Sequence, residues 1–196
     1  MRVAILASGN GSNFEALAHQ FQAGLLPGEL IFVFSDHHNA YVLERARRLN
    51  VCAFSFEVKE FANKAAYEKA LLQLLQEQEI DLIVLAGYMR IIGQTLLSHY
   101  SNRILNIHPS LLPSFPGLHG IKDAYEYGVK VTGVTVHLVD DGVDTGPIIA
   151  QEPVMILPED SLESLEEKIH QTEHRLYPKV LRDVLLQSDK NKSKGE

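Results

Sequence analysis

The stretch RVAILASGNGSNFEAL, residues 2–17, decides the fold. Residues 2–7 read as a buried strand, apolar on both faces. Gly9 and Gly11 then punctuate the chain, and from Ser12 to Gly24 apolar residues recur at helical spacing through Phe14, Leu17, Ala18 and Phe21. The turn between strand and helix also has chemistry. Free N–H groups and the dipole at a helix N-terminus attract anions, and the two glycines let backbone approach a ligand. The loop lacks the GxxxxGK[ST] of a nucleoside triphosphate site, and Phe14 stands where a dinucleotide fingerprint carries its third glycine. A single phosphate therefore suits it better than a pyrophosphate. A tight turn capped by an Asn or Ser side chain is the plainer alternative.

Working outward, the first half of the chain repeats this alternation. LIFVFS (30–35), VCAFSF (51–56), DLIVLAG (81–87) and RILNIH (103–108) read as further strands. Helical patterns cover residues 40–50, 61–78 and, briefly, 93–99. After residue 130 two strand-like runs, 131–139 and 147–156, flank the short connection DDGVDTG, which predicts antiparallel neighbours. A last helix starts near Ser161, with Asp160 and Glu163 resembling a capping box, and Pro178 is expected to kink or divide it. The fold class expected is α/β: a Rossmann-like, mostly parallel sheet with helices on both faces and an antiparallel strand pair near the C-terminal half. One domain is expected over residues 1–187, followed by a polar, frayed tail at 188–196.

Composition narrows the function classes. An apolar fraction of 45% and a charged fraction of 22% are ordinary for a soluble globular protein. The net charge of −7 argues against nucleic acid as a partner. No apolar run approaches the roughly 20 residues that span a bilayer, and the N-terminus does not read as a signal peptide. A soluble, cytoplasmic protein without a membrane partner is expected. The single cysteine, Cys52, excludes an internal disulfide and a CxxC metal site, and its apolar surroundings predict a buried strand residue.

The stretch LNIHPSLLPSFPGLHG (105–120) carries the second chemical signal. Asn106 and His108 are two apart on an extended segment, so they project together at the C-terminal end of a parallel strand, where open α/β sheets bind ligands. Downstream, Asp140 and Asp141 precede glycine and suit a turn, whereas Asp144 has no turn role that demands a carboxylate. A carboxylate beside a histidine raises the histidine's pKa and fixes its tautomer. Asn, His and Asp without a neighbouring nucleophile suit acyl transfer by direct attack of one substrate on another. The histidine and asparagine would then donate to the developing oxyanion.

Together, ASGNGSNF, LAGYMRII, NIHPSLLPSFPGLHG and GVTVHLVDDGVDTGPIIAQ resemble the phosphoribosylglycinamide formyltransferase family, within the folate-dependent formyltransferases. The resemblance implies transfer of a formyl group from 10-formyltetrahydrofolate, a co-substrate, to the glycyl amine of 5-phosphoribosylglycinamide in purine biosynthesis, with no metal. It implies Asn106, His108 and Asp144 as the catalytic set, His108 as general acid and Asp144 tuning it. Gly11, Ser12 and Asn13 would hold the ribotide phosphate, Glu173 the ribose, and His170 would help neutralise the phosphate. Met89, Arg90, Ile91 and Ile92 would lie along the pterin, with Asn106, Val139, Asp140, Asp141 and Asp144 closing the pocket. Lys64 stands where relatives often carry arginine; it is either a folate-tail contact or a solvent-facing helix residue. Residues 109–130 would form a mobile lid. The implied partners are these two small molecules, with the chain a monomer or homodimer. A formyltetrahydrofolate hydrolase is the nearest sibling, but it carries an N-terminal regulatory domain. The tRNA formyltransferase adds a C-terminal domain for which this chain has no room. A nucleotide-binding module of another class would leave the Asn–His–Asp set idle.

Overall fold

The computed structural model describes residues 1–192. Seven strands form one sheet: β1 (Arg2–Leu6), β2 (Glu29–Ser35), β3 (Cys52–Ser55), β4 (Leu82–Leu85), β5 (Ile104–His108), β6 (Val131–Leu138) and β7 (Ile148–Met155). Their order is β3-β2-β1-β4-β5-β6-β7. The first five pair in parallel, and β6 runs antiparallel to both β5 and β7. Six helices accompany them: α1 (Ser12–Gln22), α2 (Tyr41–Arg48), α3 (Lys64–Glu77), α4 (Gln94–Leu97), α5 (Gly120–Tyr127) and α6 (Leu162–Lys192).

Each central strand feeds two cores because successive side chains leave a strand on opposite faces. Val3 and Ile5 of β1 pack with Phe14 and Leu17 of α1, Val42 of α2 and Leu165, Ile169 and Leu181 of α6. Ala4 and Leu6 pack on the other face with Tyr67, Leu71 and Leu75 of α3 and Leu96 of α4. Both faces are thereby covered, as the unbroken apolar runs require. Strand order reverses between β1 and β4. The loops after those two strands meet at this switch point, where doubly wound sheets place their ligands.

Several expectations are corrected. Cys52 is exposed, because β3 is the sheet's edge strand. Pro178 does not divide the last helix, which continues from Leu162 to Lys192. The proline has no N–H to give the carbonyl one turn back. Burial of Leu176, Tyr177, Val180 and Leu181 around it, and the buried Tyr177 hydroxyl donating to the carbonyls of Leu85 (2.8 Å) and Leu105 (3.2 Å), hold the helix against the core instead. Residues 188–192, expected in the frayed tail, continue this helix; the rest of that tail lies outside the described residues. The helix is capped by Ser161, whose hydroxyl accepts from the Ser164 N–H at 3.1 Å, while Asp160 accepts from the Leu157 N–H and from Lys168. Phe61 precedes α3 rather than starting it, with Asn63 accepting from the Ala66 N–H as the cap. Among the described residues no helix is long and apolar enough to cross a membrane.

Candidate active site

Asn106 and His108 lie on β5, between β4 and β6, with His137 of β6 directly opposite Asn106. The His137 ring is buried, and its two nitrogens have different partners. Nδ1 faces the Leu138 carbonyl at 2.8 Å, which can only accept, so Nδ1 carries the proton. Nε2 is then the acceptor for the Asn106 amide, 3.1 Å away. This fixes which way the Asn106 amide points, and leaves its second N–H for a ligand.

His108 is nearly sealed from solvent. Its Nε2 donates to the Phe115 carbonyl at 2.8 Å, and its Nδ1 lies 3.4 Å from Asp144 Oδ2. Both partners accept, so a doubly protonated ring finds an acceptor at each nitrogen. Asp144 takes a left-handed backbone, φ 55°, a conformation that Asp tolerates better than most residues. The neighbouring Gly146 permits this loop, since a Cβ there would sit 1.9 Å from the Leu138 carbonyl oxygen. Asp144 Oδ2 accepts the Gly117 N–H at 2.8 Å, and Oδ1 lies 3.6 Å from His137 Nε2. Burial pushes the Asp144 carboxyl up, but His137 and His108, each when doubly protonated, and the Gly117 N–H outweigh it, and the net shift is below the usual carboxylate value. Asn106, His108 and Asp144 are therefore brought together. His137 joins them, and sequence reasoning missed it.

The loop after His108 is anchored over its first part. Thr135 donates its hydroxyl to the Ser110 carbonyl at 2.6 Å and accepts from the Leu112 N–H at 3.1 Å, and Gln151 donates to the Leu112 carbonyl at 2.9 Å. Residues 120–127, expected as part of a lid, form α5, which packs on α6.

The glycine loop departs from the plain capped turn. Gly11 is the N-cap of α1 in left-handed backbone, φ 78°, and no side chain caps the helix. The first N–H groups of α1 thus stay free of a side-chain partner. Asn13 Nδ2 donates to Glu173 Oε2 at 3.0 Å, and His170 Nδ1 meets the same oxygen at 3.0 Å. That contact raises the His170 pKa, against the opposing effect of burial. Asn13 Oδ1 is buried without a partner among the described residues. Gly11, Ser12, Asn13, His170 and Glu173 thus form one cluster across α1 and α6.

The residues expected at the folate lie in two places. Lys64, Met89, Arg90, Ile91 and Ile92 line a cavity of about 300 Å³ together with Tyr67, Glu68 and Tyr88. Its walls are apolar and aromatic with a few charged groups, a chemistry that suits a flat heterocycle. Arg90 is tied to the buried Asp36 at 2.6 Å, and Lys64 sits 3.5 Å from the buried Glu68. Asn106, Val139, Asp140, Asp141 and Asp144 do not line that cavity. Val139 packs on the same apolar cluster as Ile92, so the two groups adjoin. Asp140 serves the turn, accepting from the Gly142 N–H at 3.1 Å and the Thr145 hydroxyl at 2.7 Å. Ser8 bridges the two substrate regions: its N–H donates to the Gly87 carbonyl at 2.9 Å and its hydroxyl accepts from the Met89 N–H at 2.8 Å.

Comparison with known proteins identifies the chain's relatives. The formyl transferase family model matches residues 1–181. The phosphoribosylglycinamide formyltransferase of Bacillus subtilis is 48% identical over 94% of each chain. The crystal structure of glycinamide ribonucleotide transformylase 1 from Geobacillus kaustophilus superposes with a TM-score of 0.92 at 54% identity, covering 94% of this chain and 98% of that one. That of phosphoribosylglycinamide formyltransferase from Streptococcus pneumoniae TIGR4 gives 0.89 at 53% identity, over 93% and 98%. With that likeness covering nearly the whole chain, it belongs to the phosphoribosylglycinamide formyltransferases, within the formyl transferase family.

Proposed function

We infer that the chain transfers the formyl group of 10-formyltetrahydrofolate to the glycyl amine of 5-phosphoribosylglycinamide by direct attack, without a covalent enzyme intermediate. The observation that carries this reading is the convergence of Asn106, His108 and Asp144 with His137 at the end of β5. No serine or cysteine takes part in that cluster. The glycine loop, with Asn13, Glu173 and His170, anchors the ribotide at its phosphate and ribose. Anchoring the far end presents the amine to the formyl carbon and lowers the entropic barrier. The folate lies along Met89–Ile92, with Val139, Asp140 and Asp141 on its other side and Lys64 at the cavity rim toward its tail.

The amine nitrogen bonds to the formyl carbon, and the carbonyl oxygen gains negative charge. The free N–H of Asn106 and the protonated His108 donate to that oxygen. For this, His108 exchanges its Phe115 carbonyl contact for the substrate oxygen. Asp144, ionised and facing both histidines, holds the imidazolium and carries the proton from the attacking amine toward the folate nitrogen that leaves. Collapse of the intermediate breaks the bond between that nitrogen and the formyl carbon.

The test mixes purified protein with 10-formyl folate and ribotide and follows the folate absorbance. Ribotide-dependent conversion is expected, falling about 100-fold or more in Asp144→Asn and His108→Asn. Deformylation that proceeds equally without ribotide, or near-normal rates in both variants, overturns the reading.

A further inference from the structure

Helix α2 carries three arginines within about one turn, and they do different things. Arg47 and Arg48 both turn back onto Glu44 of their own helix, at 2.8 and 2.9 Å. Arg45 turns inward. Its Nε donates to the Asn10 backbone carbonyl at 2.9 Å, its Nη2 to Asn10 Oδ1 at 2.8 Å, and its Nη1 to the Glu15 carboxylate. Its guanidinium lies over the Tyr41 ring, 4.9 Å from the centroid, and its side chain is only 18% exposed. A planar fork holds these three acceptors in fixed directions, whereas an ammonium is a compact point charge with rotating donors.

The rest of α2 braces the same loop. The Val42 N–H donates to the Gly9 carbonyl at 3.1 Å. The Val42 side chain packs where a Cβ on Gly11 would stand, 2.4 Å from Val42 Cγ2. Residues 9–11 are therefore held by both Val42 and Arg45 of the same helix. Charge matters as well as shape. Glu15 sits in the first turn of α1, so its carboxylate lies close to the helix end that would receive a dianionic phosphate. An unpaired carboxylate there opposes the anion; the Arg45 ion pair cancels it.

We propose that Arg45 is the positioning residue of the ribotide loop, fixing Asn10 and neutralising Glu15 so that Gly11, Ser12 and Asn13 can hold the phosphate. It touches neither reacting atom nor folate. This rests on the ribotide reading of the loop, so the test separates the two. Arg45→Met, Arg45→Lys and the control Arg47→Met are compared with wild type for kcat, for KM of each substrate and for inhibition by inorganic phosphate. Arg45→Met is expected to raise the KM for ribotide and the Ki for inorganic phosphate by about tenfold, as expected for losing hydrogen bonds from a charged donor. Its kcat at saturating ribotide and its KM for folate should stay within about twofold. Arg45→Lys should recover only part of the loss, and Arg47→Met should match wild type. Asn10→Ala, a milder change, should raise the same two constants about threefold even if Arg45→Met folds poorly. Unchanged ribotide KM and phosphate Ki, or equal losses in kcat and folate KM, overturn the proposal. Wild type that shows no competition between phosphate and ribotide overturns instead the assignment of the loop.

Discussion

Asn106 illustrates how an amide proposed to act in catalysis is aimed. Its own strand sets the position, but the direction of its N–H comes from His137 on the neighbouring strand, which is held in one tautomer by the Leu138 carbonyl. Replacing His137 with Phe removes the acceptor while keeping an aromatic ring. The expected result is a roughly tenfold lower kcat in steady-state assays, with a loss of stability of about 1 kcal/mol from the unpaired, half-buried amide. A variant with wild-type kcat would show that Asn106 is aimed by something else. His170 offers a test in pH. Its pKa is raised by Glu173, so the pair stabilises the folded chain fully below the ordinary histidine value, near 6.5. That contribution fades as pH rises through the raised value. Denaturation of wild type and His170→Gln should therefore differ most near pH 6 and converge by about pH 9. A constant difference would contradict the ion pair. Of this site, Asn106 and His108 are legible from their spacing of two on an apolar strand, and Asp144 from a carboxylate with no turn to serve. His137 is not, because a lone histidine in VTGVTVHLV reads as a packed strand residue until the register places it opposite Asn106.

Among the elements, α6 gathers the largest contradiction between local preference and outcome. A buried proline sits in its middle, yet Tyr177 beside it reaches through the core to two carbonyls on β4 and β5. Tyr177→Phe should cost about 1–2 kcal/mol and lower the melting temperature by about 2–8 °C in a thermal scan. No change would mean that apolar packing alone carries the helix across Pro178. The strands β1 to β5 are legible because each is a short apolar run bounded by turn residues. Helix α5 is not, since its eight residues start at Gly120 and end before Gly128, among prolines and glycines that read as loop. The exposure of Cys52 is equally hidden, because which strand ends up at the edge depends on the crossovers and not on the strand's own residues.

For the whole molecule, the sheet order is what turns two separate sequence signals into one site. The glycine loop follows β1 and LAGYMRII follows β4, and these strands are neighbours although about eighty residues apart. β5 lies next to β4 and carries Asn106 and His108, between β4 and the antiparallel pair. The family match, residues 1–181, spans all three regions. Within that arrangement Ser8 ties the backbone of the first loop to the backbone of the second. If the two loops hold the proposed ribotide and folate, any coupling carried by this hydroxyl is reciprocal: the factor by which ribotide changes folate affinity equals the factor by which folate changes ribotide affinity. Ser8→Ala should move that common factor toward one from both directions. Calorimetric titration of each ligand, with and without an unreactive analogue of the other, measures it twice. An unchanged factor would show that the two sites communicate by another route.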